Sequence, residues 1–259
     1  MVKFCVLASG SSGNSALVAT SKTRILIDAG LSMKEIGRRL AAIGEKLEDI
    51  DAILITHEHS DHVSALPVLA RSRNVRAVIY LSRLTEPSIQ WGETRPTRLE
   101  LFQSGGAFEV GDIGVQSFGI PHDAIDPVGF SLAAEGVRIA IATDLGYIPE
   151  SIKFHLRRTD LLLLEANHDV EMLKVGPYPW AVKLRVMSRV GHLSNDAMAE
   201  FLIHDLDPAT RHLVLGHLSE HNNNPYLVDQ VATQSLERRG LHTGLAIARR
   251  QEPSEVFQL

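Results

Sequence analysis

The sequence predicts an α/β fold in which two β-sheets pack face to face and helices cover their outer surfaces. Three observations carry this expectation. Short apolar runs recur from Phe4 to Ala248 and alternate with amphipathic stretches bounded by helix-start and helix-stop signals. Both halves of the chain follow strands with helices, which suits two sheets joined through one apolar interior. Several apolar runs end on an acid or a histidine, and a polar residue just beyond a buried strand sits at a sheet edge, where loops converge into sites. With no short repeat, low-complexity tract or obvious linker, residues 1–259 are expected to form a single domain.

Taken in order, Phe4 to Ala8 reads as a buried strand, followed by the small polar loop Ser9-Gly10-Ser11-Ser12-Gly13-Asn14-Ser15. Ala16 to Ala19 and Arg24 to Ile27 form a hairpin turned at Thr20-Ser21-Lys22. Ser32 with Glu35 makes a capping box for a helix that aligns Ile36, Leu40 and Ile43 on one face and stops at Gly44. Ala52 to Ile55 is a strand that delivers the chain to Thr56-His57; a helix over Val63 to Arg71 and a strand over Ala77 to Leu81 follow. Phe108 to Val110 and Ile113 to Phe118 flank the turn Gly111-Asp112, and Phe130 to Ala133 and Val137 to Ile141 flank Glu135-Gly136. The remainder predicts strands at Leu161 to Leu164, His212 to Leu215 and Leu241 to Ala248, with helices at Asn195 to Ile203 and Leu227 to Arg238.

Composition excludes some functions. The chain is 44% hydrophobic and 22% charged, which suits a folded globular protein. A net charge of −5 argues against indiscriminate binding to nucleic acid or acidic membranes, while leaving room for a local basic groove. The single cysteine, Cys5, lies in an apolar run and is expected to be a buried thiol. No apolar run approaches the roughly 18–20 residues of a membrane span, and the start shows no signal-peptide pattern, so no membrane partner and a cytoplasmic location are expected.

The twelve histidines carry the chemistry. Thr56-His57-Glu58-His59-Ser60-Asp61-His62 places three imidazoles and a carboxylate in one loop after a buried strand. Imidazole nitrogen and carboxylate oxygen suit zinc or manganese, with iron admissible. His57 and His59 can point together from extended backbone, while Asp61 and His62 lie around the following turn, so one loop can feed two adjacent metals. Asp28, His122, Asp144 and His217 each lie just past a strand. Singly each suits a cap or a turn; jointly they make the pattern of a dinuclear site. His155, His204, His212 and His242 read as structural or surface residues.

Asp28, then His57-x-His59-x-Asp61-His62, then His122, Asp144 and His217 resemble, in this order, the five motifs of the metallo-β-lactamase superfamily, over essentially the whole chain. The resemblance implies an αββα four-layer sandwich with a dinuclear metal site at the sheet edge. It also implies that one divalent metal takes His57, His59 and His122, and that the second takes Asp61, His62 and His217. Asp144 would bridge the two, and Asp28 would hold the loop or a ligand histidine from behind. Superfamily members that use di-iron chemistry usually carry glutamate where this chain has His59, so hydrolysis is the implied reaction. Two neighbouring cations would lower the pKa of a bridging water from 15.7 toward about 7, with Asp61 essential to the catalytic centre.

Leu164-Glu165-Ala166-Asn167-His168-Asp169, Gly191-His192-Leu193-Ser194-Asn195 and His217-Leu218-Ser219 are similar to elements of RNase Z-type nucleases. With the Ser/Gly loop and His122-Asp123-Ala124 they resemble more closely the bacterial WalJ/YycJ group, which is associated with exonuclease action on DNA from the 5′ end. That resemblance implies that His192, oriented by Glu165, donates a proton to the leaving oxygen or the developing phosphorane. A nucleic-acid substrate, DNA in preference to RNA, follows as the expected partner. Candidate substrate contacts are Ser11, Ser12 and Asn14 of the Ser/Gly loop, His168, and Lys183 and Arg185 in a basic stretch interleaved with Tyr178 and Trp180. The same stretch also reads as a solvated helix face with two anchoring aromatics. The alternative activity is a small-molecule metallo-hydrolase for a cyclic phosphodiester, thioester, lactone or β-lactam; a non-catalytic, metal-stabilised partner protein is a third reading.

Overall fold

The computed structural model describes residues 1–93 and 95–259. The first apolar runs become β1 (Lys3–Ala8), β2 (Ser15–Ala19) and β3 (Arg24–Ile27), an antiparallel series. Helix α1 (Met33–Ala42) starts where Ser32 Oγ accepts from the Glu35 amide at 3.2 Å. Only half of the capping box forms: the Glu35 carboxylate turns outward to Arg38 and Arg39. Gly44, at φ 77°, closes this helix in the left-handed conformation that glycine tolerates.

Strand β4 (Ala52–Leu54) lies parallel to β3, and short helices α2 (Ser60–Val63) and α3 (Leu66–Arg71) follow it. The sequence predicts one helix over 63–71; two are found, because Pro67 has no N–H for the Val63 carbonyl and sits instead in the first turn of α3. Parallel strands β5 (Val78–Ser82) and β6 (Leu99–Phe102) complete this side. The second sheet contains β7 (Ala107–Val110), β8 (Ile113–Gly119), β9 (Val128–Ala134) and β10 (Val137–Ala142), all antiparallel to their neighbours in that run. After α4 (Glu150–Leu156), β11 (Leu161–Glu165) runs parallel to β10. Helices α5 (Val170–Val175), α6 (Trp180–Val186) and α7 (Asn195–His204) lead to β12 (His212–Gly216), parallel to β11.

Helix α8 (Pro225–Arg239) precedes β13 (Gly244–Ile247), which is shorter than the predicted 241–248 because Leu241 folds back to bond the Leu236 carbonyl at 3.0 Å around Gly240. The chain then crosses to the first sheet, where β14 (Phe257–Gln258) pairs with β1. The sheets read β14-β1-β2-β3-β4-β5-β6 and β13-β12-β11-β10-β9-β8-β7.

Strand alternation builds three apolar layers. Val6, Val18 and Leu54 of one sheet meet Phe130, Ile141 and Leu163 of the other in the central layer. Leu26 and Ile53 face α1 and α3 on one outer side, and Leu162 and Leu213 face Met198, Phe201 and Val228 on the other. The four-leucine run of β11 is therefore apolar on both faces because a central parallel strand is covered on both. This is the αββα order that the family resemblance implies. Cys5 is fully buried in β1, where burial pushes its thiol pKa up.

Candidate metal centre

Most of the residues that gather at one edge of the sandwich come from the carboxyl ends of parallel or co-directed strands. Asp28 follows β3 and His57 follows β4; His122 follows β8, Asp144 follows β10, Glu165 ends β11 and His217 follows β12. Apolar strand registry therefore fixes where each polar side chain begins. Asp28, Asp144 and His217 have φ values of 59°, 60° and 57°, a left-handed conformation uncommon for non-glycine residues. The chain turns sharply at these three points as it leaves the sheet, and strain of this kind concentrates at functional sites.

Behind the His57–His62 loop, Gly30 is packed against the backbone of Asp61. A Cβ on Gly30 would lie 1.6 Å from the Asp61 carbonyl oxygen, so only glycine permits this approach. Asn14 seals the same contact: its amide N–H donates to Asp61 O at 2.8 Å, and its side chain lies 3.2 Å from Asp61 Oδ2 and 3.0 Å from His62 Nε2.

The hydrogen bonds set the tautomers of the histidines. Asp28 Oδ2 accepts from His62 Nδ1 at 2.8 Å and from the Thr56 hydroxyl at 2.9 Å. Thr56 Oγ1, its proton thus committed, accepts from His57 Nδ1 at 3.0 Å. His122 Nδ1 donates to the Gly191 carbonyl at 3.2 Å and His217 Nδ1 to Glu165 Oε1 at 2.9 Å. Each of these rings consequently turns an Nε2 lone pair toward the centre, with its other nitrogen held from behind. His59 differs, bringing Nδ1 to within 3.3 Å of His122 Nε2.

These donor atoms converge in groups. His57, His59 and His122 form one; Asp61, His62 and His217 form another; His57, His62 and Asp144 form a third, each with its ligand atoms within 4.8 Å of one another. Asp144 lies between the histidine groups, with Oδ1 3.3 Å from His217 Nε2 and Oδ2 3.4 Å from His62 Nε2. Among the described residues, His57 Nε2, His217 Nε2 and Asp144 Oδ2 are buried without a hydrogen-bond partner. Unpartnered buried polar atoms are costly, and three aimed into one space fit divalent cations of the zinc, manganese or iron type.

The electrostatics of the metal-free cluster fit the same picture. Burial pushes His57 well below the usual imidazole range, reinforced by His62 and His122. Burial also opposes charge on His62, but Asp144 and Asp28 outweigh it and raise that pKa. For His217 burial is again outweighed, by Asp144, Asp61 and Glu165, and the pKa is pushed up to about 10. Burial alone would raise Asp61, yet the neighbouring His217 and His62 imidazoles hold it well below the carboxylate range.

Next to the cluster, His192 Nδ1 donates to Glu165 Oε1 at 2.8 Å, the same oxygen that receives His217. Glu165 is fully buried, and its other oxygen accepts from the Leu145 and Leu193 amides. Burial opposes a charged His192, but Glu165 outweighs it and raises the His192 pKa. A cavity of about 210 Å³ opens over the cluster, lined also by Ser11, Asn167, Tyr178, Arg185, His192 and Ser219.

The expected substrate contacts divide. Ser11 and Arg185 line the cavity, and Ser12 is exposed on the same loop. Three others are buried away from the cavity surface. Lys183 is buried, its Nζ donating to the Lys174 carbonyl at 2.8 Å, so it ties α6 to α5. His168 is 1% exposed beneath the site, where burial pushes its pKa down to about 4. Asn14 is buried and committed to Asp61 and His62, as described above. The sequence reading passed over Thr56, Gly30 and Asn167; Thr56, adjoining the histidine motif, was the one most open to notice. Asn167 Nδ2 donates to the His217 carbonyl at 2.8 Å.

Sheet order, strand-end ligands and the His-x-His-x-Asp-His loop together define a metallo-β-lactamase architecture. A family model described as the beta-lactamase superfamily domain matches residues 23–218, and the chain belongs to that superfamily. Within it, the chain is 41% identical over 247 residues to exodeoxyribonuclease WalJ of Streptococcus pneumoniae, covering 94% of this chain and 91% of that protein. It is 37% identical to exodeoxyribonuclease YycJ of Bacillus anthracis, covering 94% and 92%. Among solved structures, the metallo-beta-lactamase fold protein YhfI from Bacillus subtilis shares the fold, with a TM-score of 0.75 at 16% identity and full coverage of both chains. Among the described residues, no helix is long and apolar enough to cross a membrane.

Proposed function

We propose that this chain is a metal-dependent phosphodiesterase acting as an exodeoxyribonuclease, with residues 1–259 working as one domain and DNA preferred to RNA. What carries the reading is the His192–Glu165 pair, held at 2.8 Å beside the His/Asp cluster, in a chain similar over 94% of its length to proteins named as exodeoxyribonucleases. His57, His59 and His122 would hold one divalent cation and Asp61, His62 and His217 the other, with Asp144 between the two histidine groups. Zinc and manganese both suit these donors, with iron admissible. When bound, such a pair supplies Lewis-acid neutralisation of a phosphodiester and an activated water near neutral pH.

The remaining work falls to the chain's own side chains. Asp61 and Asp144 add carboxylate charge beside the histidine donors. Asp28 and Thr56 keep the ligand lone pairs directed inward. Glu165 holds His192 through Nδ1 and favours its protonated form, so that Nε2 can deliver a proton to the departing oxygen of the cleaved bond.

The test is digestion of an end-labelled, 5′-phosphorylated DNA duplex with manganese present, Asp61→Ala serving as control. Stepwise loss of label with the wild type alone is expected, and gives the polarity. An intact duplex with manganese bound would overturn the nuclease reading in favour of small phosphodiesters or acyl substrates.

A further inference from the structure

The cavity over the metal cluster is lined almost wholly by the cluster itself and by neutral side chains. Arg185 is the exception: among the described residues it is the one lysine or arginine in that lining. Its position is unusual. Helix α6 leaves Trp180, Val182 and Leu184 exposed and buries its only lysine, Lys183, against the end of α5. The helix therefore offers a single cation to the site. The Arg185 side chain is 62% exposed and is steadied by an ion pair with Asp123, the residue after the ligand histidine His122.

We infer that Arg185 grips a non-reacting phosphate of the DNA strand, the one adjacent to the phosphodiester being cleaved. This rests on the nuclease reading and adds the residue that distinguishes a polynucleotide from a small ester. Three features support it. A planar guanidinium presents paired donors that match two phosphate oxygens. Its exposure keeps it at the rim, whereas the donors that would hold the cations, His57, His62, Asp144 and His217 among them, lie buried inside. The tether to Asp123 holds the guanidinium beside the His122 side of the cluster, so a strand with its scissile linkage at the cluster passes Arg185 on the way out. An incoming phosphate exchanges for Asp123 as the partner of Arg185.

The test compares two oligonucleotides of one sequence, one fully charged and one with an uncharged methylphosphonate next to the scissile linkage, using wild type, Arg185→Ala and Arg185→Lys. On the charged strand Arg185→Ala is expected to lower kcat/KM roughly ten- to hundred-fold, chiefly through KM. The dependence of log kcat/KM on log salt should become shallower by about 0.7–0.9, one phosphate contact. Arg185→Lys should restore the salt slope but only part of the affinity. On the methylphosphonate strand the wild type should fall toward the variant, and Arg185→Ala should make little further difference. Equal losses on both strands would place Arg185 on the scissile phosphate and overturn the assignment. Equal activity of Arg185→Ala and wild type on the charged strand would overturn it outright. If the wild type degrades neither strand while holding its metals, the nuclease reading itself fails, which is a separate result.

Discussion

The His57–His62 loop and the α5–α6 arch face each other across one cavity, and they are built on opposite terms. In the loop the key side chains are backed from behind: Asp28 behind His62, Thr56 behind His57, Gly30 beneath Asp61. In the arch the apolar side chains Val175, Trp180 and Leu184 stand in solvent, and a lysine is buried. The loop is an arrangement fixed before anything binds. The arch is a surface with one committed cation and a large uncovered area. Preorganisation belongs with the chemistry, which needs ligand atoms in place, and exposure belongs with a long substrate that must be met and released.

This contrast can be broken, starting with the largest effect. His192→Ala should lower kcat by about 10²–10⁴-fold while metal content stays at the wild-type level, measured by elemental analysis beside turnover. Full turnover in the loaded variant would move the proton donor elsewhere. Asp28→Ala should weaken metal binding about 10–100-fold, read by competition with a chromophoric chelator. Unchanged affinity would mean that the hydrogen bond behind His62 is dispensable.

Protons sharpen the comparison further. In the metal-free chain the His217 pKa is raised to about 10, so its paired, protonated form stabilises the fold fully below about 6.5 and that contribution is lost as pH rises through about 10. A cation needs the same nitrogen unprotonated. Metal-free protein should therefore lose a few degrees of Tm from this group across that interval, while apparent metal affinity rises and metal uptake releases protons. Calorimetry in buffers of differing ionisation enthalpy reads the release, and no proton release at neutral pH would refute it. The smallest effect belongs to the arch. Lys183→Met should lower Tm by roughly 2–4 °C, one hydrogen bond to the Lys174 carbonyl, with KM for DNA unchanged. A raised KM at unchanged Tm would return Lys183 to the substrate surface.

The two regions were also unequally legible in the amino-acid order. Asp28, Asp144 and His217 could be found because each follows an apolar run whose strand character is plain, and strand ends place their next residue with little freedom. The arch has no such frame. Lys183 and Arg185 are two residues apart in one basic stretch, yet helical rotation turns one inward and leaves the other at the cavity. His168 sits in a motif beside Glu165, but burial under the site is a property of tertiary packing. The crossing of β14 to the first sheet was likewise missed, since two residues give too little pattern to read, and β6 was missed because Phe102 is its only buried residue. The break at Pro67 was written in the sequence and overlooked beneath a helical periodicity.

Three of the cluster's residues, Asp28, Asp144 and His217, occupy backbone positions where glycine or asparagine would be the more comfortable choice. Anyone redesigning this chain for thermal stability from its backbone alone would be drawn to replace them first. Such a redesign would yield a sturdier protein without two candidate metal donors, Asp144 and His217, and without the carboxylate that holds His62, so at these three turns ease of folding and chemistry pull in opposite directions.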